Sequence, residues 1–345
     1  MTKWRRRPTR LRRAIIISLR EDCRNSLQKQ PHPARGYFYI AIAAFWWGIA
    51  ATLGRAAFTG RLLPHAKALP PIDPLILSQS RAGFSFLVLL PVLVMSRGWR
   101  RIQLPAADLR RMLLLGVLGV AASNYFYYLA IQRTNVGTAI ILQYTAPVWV
   151  LLYTAARGMQ RATVQRVSAV GLAVAGIALV LGILSGKGLR LDLIGVGAAL
   201  LAAFSFAFYN VAAHSILARH DRWIVLLYAI FSASLFWTVV NPPWKIVAAH
   251  YSPAQWLFLL IFSLVSVMAP FSFYFAGLQH LEPTRAIVVS CLEPVFSILL
   301  AAVVLGELMR PMQALGIVLV LVAIVVVQLP DRKLREEVNV IEPIE

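Results

Sequence analysis

The chain has 345 residues, 59% of them hydrophobic and 14% charged, with a mean hydropathy of +0.70 and a formal net charge of +20. A soluble protein of this length carries about a quarter of its residues as charges, and here long stretches have none. Eleven of the 34 basic residues precede residue 36 and most others flank apolar runs, which is how a membrane protein places charge and argues against a nucleic-acid partner.

Cys23 and Cys291 lie far apart, one in a basic tail and one in an apolar segment, and provide neither a disulfide framework nor a metal-ligand spacing. Residues 1–36 form a basic segment whose apolar stretch, Ala14 to Ile17, is too short for a secretory signal with its core of about 7–15 residues. The expected form is a cytoplasmic tail against anionic lipid headgroups, with a targeting segment as the alternative.

A membrane-spanning helix needs about 20 mainly apolar residues, and ten segments qualify in chain order: 37–58, 75–96, 112–132, 135–156, 166–185, 193–217, 223–241, 255–278, 284–305 and 312–329. Backbone amides inside a bilayer have no water to bond, so such segments must be helical. Turn residues and charges punctuate the short connections, as at Pro70-Pro71, Arg100-Arg101 and Asn241-Pro242-Pro243. With the N-terminus placed in the cytoplasm, 25 basic residues fall on the inner side and 7 on the outer, leaving 14 against 7 without the tail. That bias predicts both termini inside.

An offset of 147 residues lays Tyr125–Val148 over Ser272–Val295. Phe126, Tyr127, Gln132, Ala139, Ile140, Pro147 and Val148 meet identical residues there. The matched Tyr, connection Gln and mid-span Pro are too rare in apolar helices to be dismissed. The expected fold is an all-α integral membrane protein of ten transmembrane helices, built as an inverted repeat of two five-helix halves, 37–185 and 193–329. An odd number of spans per half turns the second half over. Residues 330–345 form a short cytoplasmic tail.

Several motifs recur in order along these spans: Trp47-Gly48 with Arg55, Arg81, Thr145-Ala146-Pro147-Val148, Leu292-Glu293-Pro294-Val295, and Gly306-Glu307 followed by Gln313 and Gly316. They resemble the drug/metabolite transporter superfamily, specifically its EamA-like ten-helix members, over about 37–329. The first half has Met159-Gln160 where that pattern places a Glu. The resemblance implies a solute carrier with a central cavity between its halves, often an exporter of amino acids or other metabolites.

The residues point the same way. A proline inside a helix leaves the carbonyl four residues earlier without its donor, so Pro147 and Pro294 free the carbonyls of Gln143 and Ser290 near mid-span. Either neighbouring hydroxyls or water satisfy them, or they line a wet cavity. Glu293 is the one acid well inside a span. An ionised carboxylate there costs at least about 2.5 kcal/mol, so it faces the interior or is protonated. Proton coupling, recognition of an amine, and a neutral acid bonded to a neighbouring helix all remain open. Arg55 and Arg81 lie near outer span ends, where snorkelling anchors are the first reading and an anionic substrate group the second.

Polar and aromatic residues near the midplane give the candidate substrate-binding set: Trp46, Trp47, Asn124, Tyr127, Gln143, Tyr144, Ser205, Tyr209, Tyr274 and Glu293. No cofactor and no metal are expected, with proton coupling as an option. Gly182–Gly188 has the wrong spacing for a phosphate loop, and no Ser or Thr follows Lys187. The spans hold no nucleophile–base or metal cluster. The expected protein is a secondary carrier of a small amphipathic metabolite such as an amino acid, moving it outward by alternating access as a monomer or homodimer in a bacterial inner membrane. A sugar, nucleotide-sugar or organic-anion carrier of the same fold is the alternative, ahead of a membrane-embedded enzyme or a channel.

Overall fold

The computed structural model describes residues 32–59, 72–134, 136–181, 192–305 and 310–329. The two tails, Cys23, the side chain of Arg55, the Gly182–Gly188 loop and Gly306-Glu307 lie outside the described residues.

Ten membrane helices follow one another: α1 Pro33–Thr59, α2 Pro74–Arg97, α3 Ala106–Arg133, α4 in two pieces (Val136–Gln143 and Ala146–Ala156), α5 Val164–Val180, α6 Leu193–Leu217, α7 Arg222–Val240, α8 Pro253–Leu278, α9 in two pieces (Pro283–Ser290 and Leu292–Leu305), and α10 Pro311–Gln328. Nine are long and apolar enough to cross a membrane among the described residues, while α5, at 17 residues, is shorter. Local chemistry sets their starts. Asp73, Asp192 and Asp221 cap α2, α6 and α7 by accepting from the first backbone N–H groups. Proline fills the first position of α2, α8, α9 and α10, where its missing N–H costs nothing. The largest difference from the sequence expectation is α3, which begins at Ala106 rather than 112. Asp108, Arg110 and Arg111 stop a hydropathy window, but they do not stop a helix that projects beyond the apolar slab.

The packing obeys a two-fold exchange of helix n with helix n + 5. The contacts α1·α8 and α1·α9 are mirrored by α6·α3 and α6·α4, α2·α8 by α7·α3, while α2·α7 and α5·α10 map onto themselves. Irregularities repeat too. Single turns of π-helix interrupt α3 at Leu115–Ala121 and α8 at Leu264–Met268, and the 147-residue offset superposes them. The breaks at Tyr144-Thr145 and Cys291 coincide under the same offset. The fold is therefore ten helices in an inverted repeat of two five-helix halves.

At the α5·α10 crossing the backbones touch. A Cβ on Gly176 would stand 2.8 Å from the Gly316 carbonyl oxygen, and one on Gly316 would stand 2.6 Å from that of Gly176. Large apolar side chains such as Leu87, Leu152, Phe204, Leu257 and Val325 are exposed around the outside, a continuous apolar surface that a protein in water would hide and a bilayer covers.

Two ends are defined. The terminal end carries the start of α1, the end of α10 and the connections α2–α3, α4–α5, α6–α7 and α8–α9. The opposite end carries the remaining connections.

Candidate functional site

The two broken helices, α4 and α9, face each other across a cavity of about 480 Å³, within the usual range of about 300–1,000 Å³ for small-molecule sites. Each break follows from its proline. Without an N–H at 147 or 294 the helical ladder cannot continue through residues 143 and 290, and the chain turns at Tyr144-Thr145 and at Cys291 before resuming. The hydroxyls beside the breaks serve nearby carbonyls: Thr145 Oγ1 donates to Leu142 O at 2.6 Å and Ser290 Oγ to Ile287 O at 2.8 Å.

Glu293 opens the second piece of α9 and lines the cavity, with the Tyr144 hydroxyl of the opposing break within hydrogen-bonding reach of its carboxyl. The acid of one half is thus met by the aromatic hydroxyl of the other. Tyr127 and Trp47 add aromatic wall. Gln143 Nε2 donates to Ser123 Oγ at 3.4 Å, and Ser123 Oγ donates to Ala202 O at 3.3 Å, tying α4, α3 and α6 together at the wall. Asn124 Nδ2 donates to Val120 O at 2.8 Å. That carbonyl lies in the π-turn of α3, where the ladder is displaced and a side-chain amide is placed to serve it.

Of the ten residues expected at the site, Trp47, Asn124, Tyr127, Gln143, Tyr144 and Glu293 lie on the cavity wall, and so does Pro294. The other four lie elsewhere, as does Pro147, which is buried beside its break. Trp46 packs edge-on against Phe45. It sits about 100° round the helix from Trp47, so only one of the pair can face the cavity. Ser205 and Tyr209 share a face of α6 turned from the wall, which the neighbouring Phe206 supplies instead. Tyr209 and Tyr274 are 1% and 0% exposed, stack on each other at 6.0 Å, and belong to the core on the terminal side of the cavity. The Tyr274 hydroxyl donates to Asn210 Oδ1. Depth along each helix is legible in sequence, but rotation about the axis is set by packing.

Arg81 belongs to the wall rather than to the membrane surface. Its guanidinium lies 5.6 Å from the centre of the Phe262 ring, and Nη2 donates to Ser266 O at 3.1 Å. Thr52, Ser297 and Gln313 also line the cavity. Ser297, four residues after Glu293, was within reach of helical-spacing arguments, while Gln313 of α10 stood in the motif after Gly306-Glu307 without being placed at the site.

The cavity runs from mid-bundle toward the opposite end, where Val180, Leu181 and Gln313 stand on its wall. The terminal end is tied shut between the halves. Arg166 of α5 pairs with Glu282 before α9 at 2.8 Å, and Thr284 Oγ1 of α9 donates to Gln160 Oε1 at 2.7 Å. Arg97 meets Asp221 at 2.7 Å. Within the second half, His214 Nδ1 of α6 lies 2.9 Å from Leu278 O of α8, so that nitrogen carries the proton.

Comparison with known proteins agrees with this architecture. The threonine/homoserine exporter RhtA of Escherichia coli K12 is 26% identical over 219 residues, 61% of this chain and 69% of that protein. The inner membrane transporter YicL of Salmonella typhimurium is 24% identical over 228 residues, 66% and 75% of the two chains. A solved crystal structure superposes with a TM-score of 0.71 at 19% identity, covering 88% of this chain and 99% of the other, which shows the shared fold. The EamA-like transporter family model matches residues 34–182 and again 193–329, and the chain belongs to that family of multi-pass inner-membrane transporters.

Proposed function

We propose that the protein is a secondary carrier that exports a small amphipathic metabolite of amino-acid type by alternating access. The observation that carries this reading is the cavity between the broken helices of two inverted halves, lined toward one end and sealed by inter-half bonds at the other. The basic-residue bias of 25 to 7 supports a cytoplasmic terminal end, which makes this conformation outward-facing. Exchange of the two half-roles by rocking about the break region then gives the inward-facing state.

Glu293 is assigned as the group that holds a substrate ammonium or a coupling proton, because it is the one acid among the described residues of a wall otherwise made of aromatic, aliphatic and neutral polar residues and Arg81. The amino-acid class draws support from the aromatic lining and from the named activity of the RhtA relatives.

The decisive experiment is flux into proteoliposomes with labelled amino acids, sugars, nucleosides and organic acids, with and without a pH gradient. Saturable amino-acid flux supports the proposal. Flux of sugars or organic acids alone transfers the fold to the alternative substrate class, and ion conductance without saturation makes it a channel. Orientation has its own test: single cysteines placed at 100–103 should resist impermeant thiol reagents in intact cells, whereas one at Lys245 should react.

A further inference from the structure

Among the described residues the cavity wall carries one cation and one anion, Arg81 on α2 and Glu293 on α9, and the two are not ion-paired with each other. A membrane protein that only needed to neutralise an intramembrane acid would join the two directly. Here the arginine is held by other means. Its plane rests over Phe262, and a single hydrogen bond among the described residues, Nη2 to Ser266 O, pins one corner. Ser266 sits in the π-turn of α8, which realigns backbone carbonyls out of the regular ladder. Nε is buried and has no hydrogen-bond partner among the described residues. A guanidinium offers five N–H donors in a rigid fork matched to a planar oxyanion, and most of this fork remains unspent.

We propose that Arg81 is the anion-recognising group of the cavity and takes the substrate's carboxylate, so that with Glu293 it clamps a zwitterion at both ends. The proposal rests on the reading of the cavity as the transport site. The clamp accounts for the opposite charges left unpaired on the wall, since a zwitterion between them satisfies both without adding net charge. It also makes the site selective. An amine without a carboxylate leaves Arg81 unmatched, an acid without an amine leaves Glu293 unmatched, and a buried charge left unmatched is what a polar site rejects most strongly.

The test uses the full-length purified protein in detergent at neutral pH, with binding read from the shift in melting temperature. The probes are L-threonine, its decarboxylated counterpart 1-aminopropan-2-ol, and its deaminated counterpart 3-hydroxybutyrate. Wild type should bind threonine at least about tenfold more tightly than either fragment. Arg81→Gln should weaken threonine and 3-hydroxybutyrate by about tenfold and leave 1-aminopropan-2-ol little changed. Glu293→Gln should do the reverse.

Unchanged affinity of Arg81→Gln for the two carboxylates overturns the proposal, as does an equal loss for all three probes or the absence of any Arg81-dependent binding in wild type. Where Arg81→Gln fails to fold, Arg81→Lys is read instead. It keeps the charge without the fork and should bind 3-hydroxybutyrate several-fold more weakly, and equal binding overturns the assignment. Carboxylate binding that depends on Arg81, in a protein that carries no amino acid in the flux assay, removes the amino-acid reading and leaves the anion site standing. Amino-acid flux with carboxylate affinity indifferent to Arg81 does the opposite.

Discussion

The two ends of the bundle are built from equivalent helices and finished differently. At the terminal end polar side chains cross between the halves, Arg166 to Glu282 and Gln160 to Thr284, and Thr284 is wholly buried. At the opposite end polar groups also cross, Asn241 Nδ2 donating to Gln79 Oε1 at 2.7 Å and the Asp73 N–H to the Tyr251 hydroxyl at 3.2 Å, but away from the cavity wall. Beside that wall the halves meet through backbone at Gly176 and Gly316, and Gln313 reaches Val180 O at 3.4 Å. Inverted symmetry would make the two ends alike if the protein rested at its midpoint. The cavity lies toward one end alone, as the proposed alternating-access cycle expects of one of its end states. The polar ties can part and be rehydrated at modest cost, because each partner finds water when it leaves, whereas the glycine crossing is a backbone contact with no alternative partner.

The largest effect is expected at the glycine crossing. Gly316→Val should lower stability by about 2–3 kcal/mol, because a Cβ already stands too near the Gly176 carbonyl and the whole side chain must be accommodated. The melting temperature in detergent measures it, and an unchanged value would show that the crossing yields. Next comes the terminal tie. The Arg166 side chain is 9% exposed and that of Glu282 is 45% exposed, so Glu282→Ala should cost about 2 kcal/mol, below the full penalty for an enclosed pair. It should also raise thiol labelling of a cysteine at Thr284, and protection equal to the parent would mean that the tie does not hold the end closed.

Third, Glu293→Gln keeps shape and hydrogen bonding while removing titration. Flux should fall at least about tenfold, equivalent to roughly 1.4 kcal/mol, with matched expression and melting temperature. Equal flux across the pH range would make Glu293 structural. Ala146, its repeat partner, should not rescue activity when changed to Glu.

Smaller again is the Arg97–Asp221 pair, with side chains 31% and 42% exposed. Arg97→Gln should cost about 0.2–1 kcal/mol and less in high salt. A larger loss would make the terminal seal more cooperative than its separate bonds imply.

The smallest effect is pH-dependent. His280, in the α8–α9 connection, stacks on Tyr39 and accepts at Nδ1 from the His32 N–H at 3.4 Å. Burial first, then the charges of His32, Arg35 and Arg222, push its pKa below the ordinary value of 6.5. The folded protein therefore favours the neutral ring. Its contribution is complete above about pH 6.5 and is lost as pH falls below that value, where the unfolded chain binds the proton more readily. Wild type should lose slightly more melting temperature than His280→Gln between pH 7.5 and 5.5. Parallel curves would show that titration of His280 does not bear on stability.

Span number, span depth and the two proline breaks are determined by sequence alone, because apolar length, punctuation and a missing N–H are local properties that the bilayer and the backbone read directly. The repeat was legible for the same reason at Phe126, Tyr127 and Pro147. The π-turns at Leu115–Ala121 and Leu264–Met268 were not, since an extra residue in a turn leaves no compositional trace. Facing was the larger gap. Trp46 and Trp47 share depth and residue type, as do Tyr127 and Tyr274 by repeat, yet one of each pair lines the cavity and the other does not. In an apolar solvent both faces of a helix are hydrophobic, so the amphipathic signal that reveals rotation in a water-soluble protein is missing. Only the packing of α6 and α8 decides that Tyr209 and Tyr274 fill a core. Only the crossing of α2 with α8 turns Arg81, which composition places at a membrane surface, onto the cavity wall that also carries Glu293.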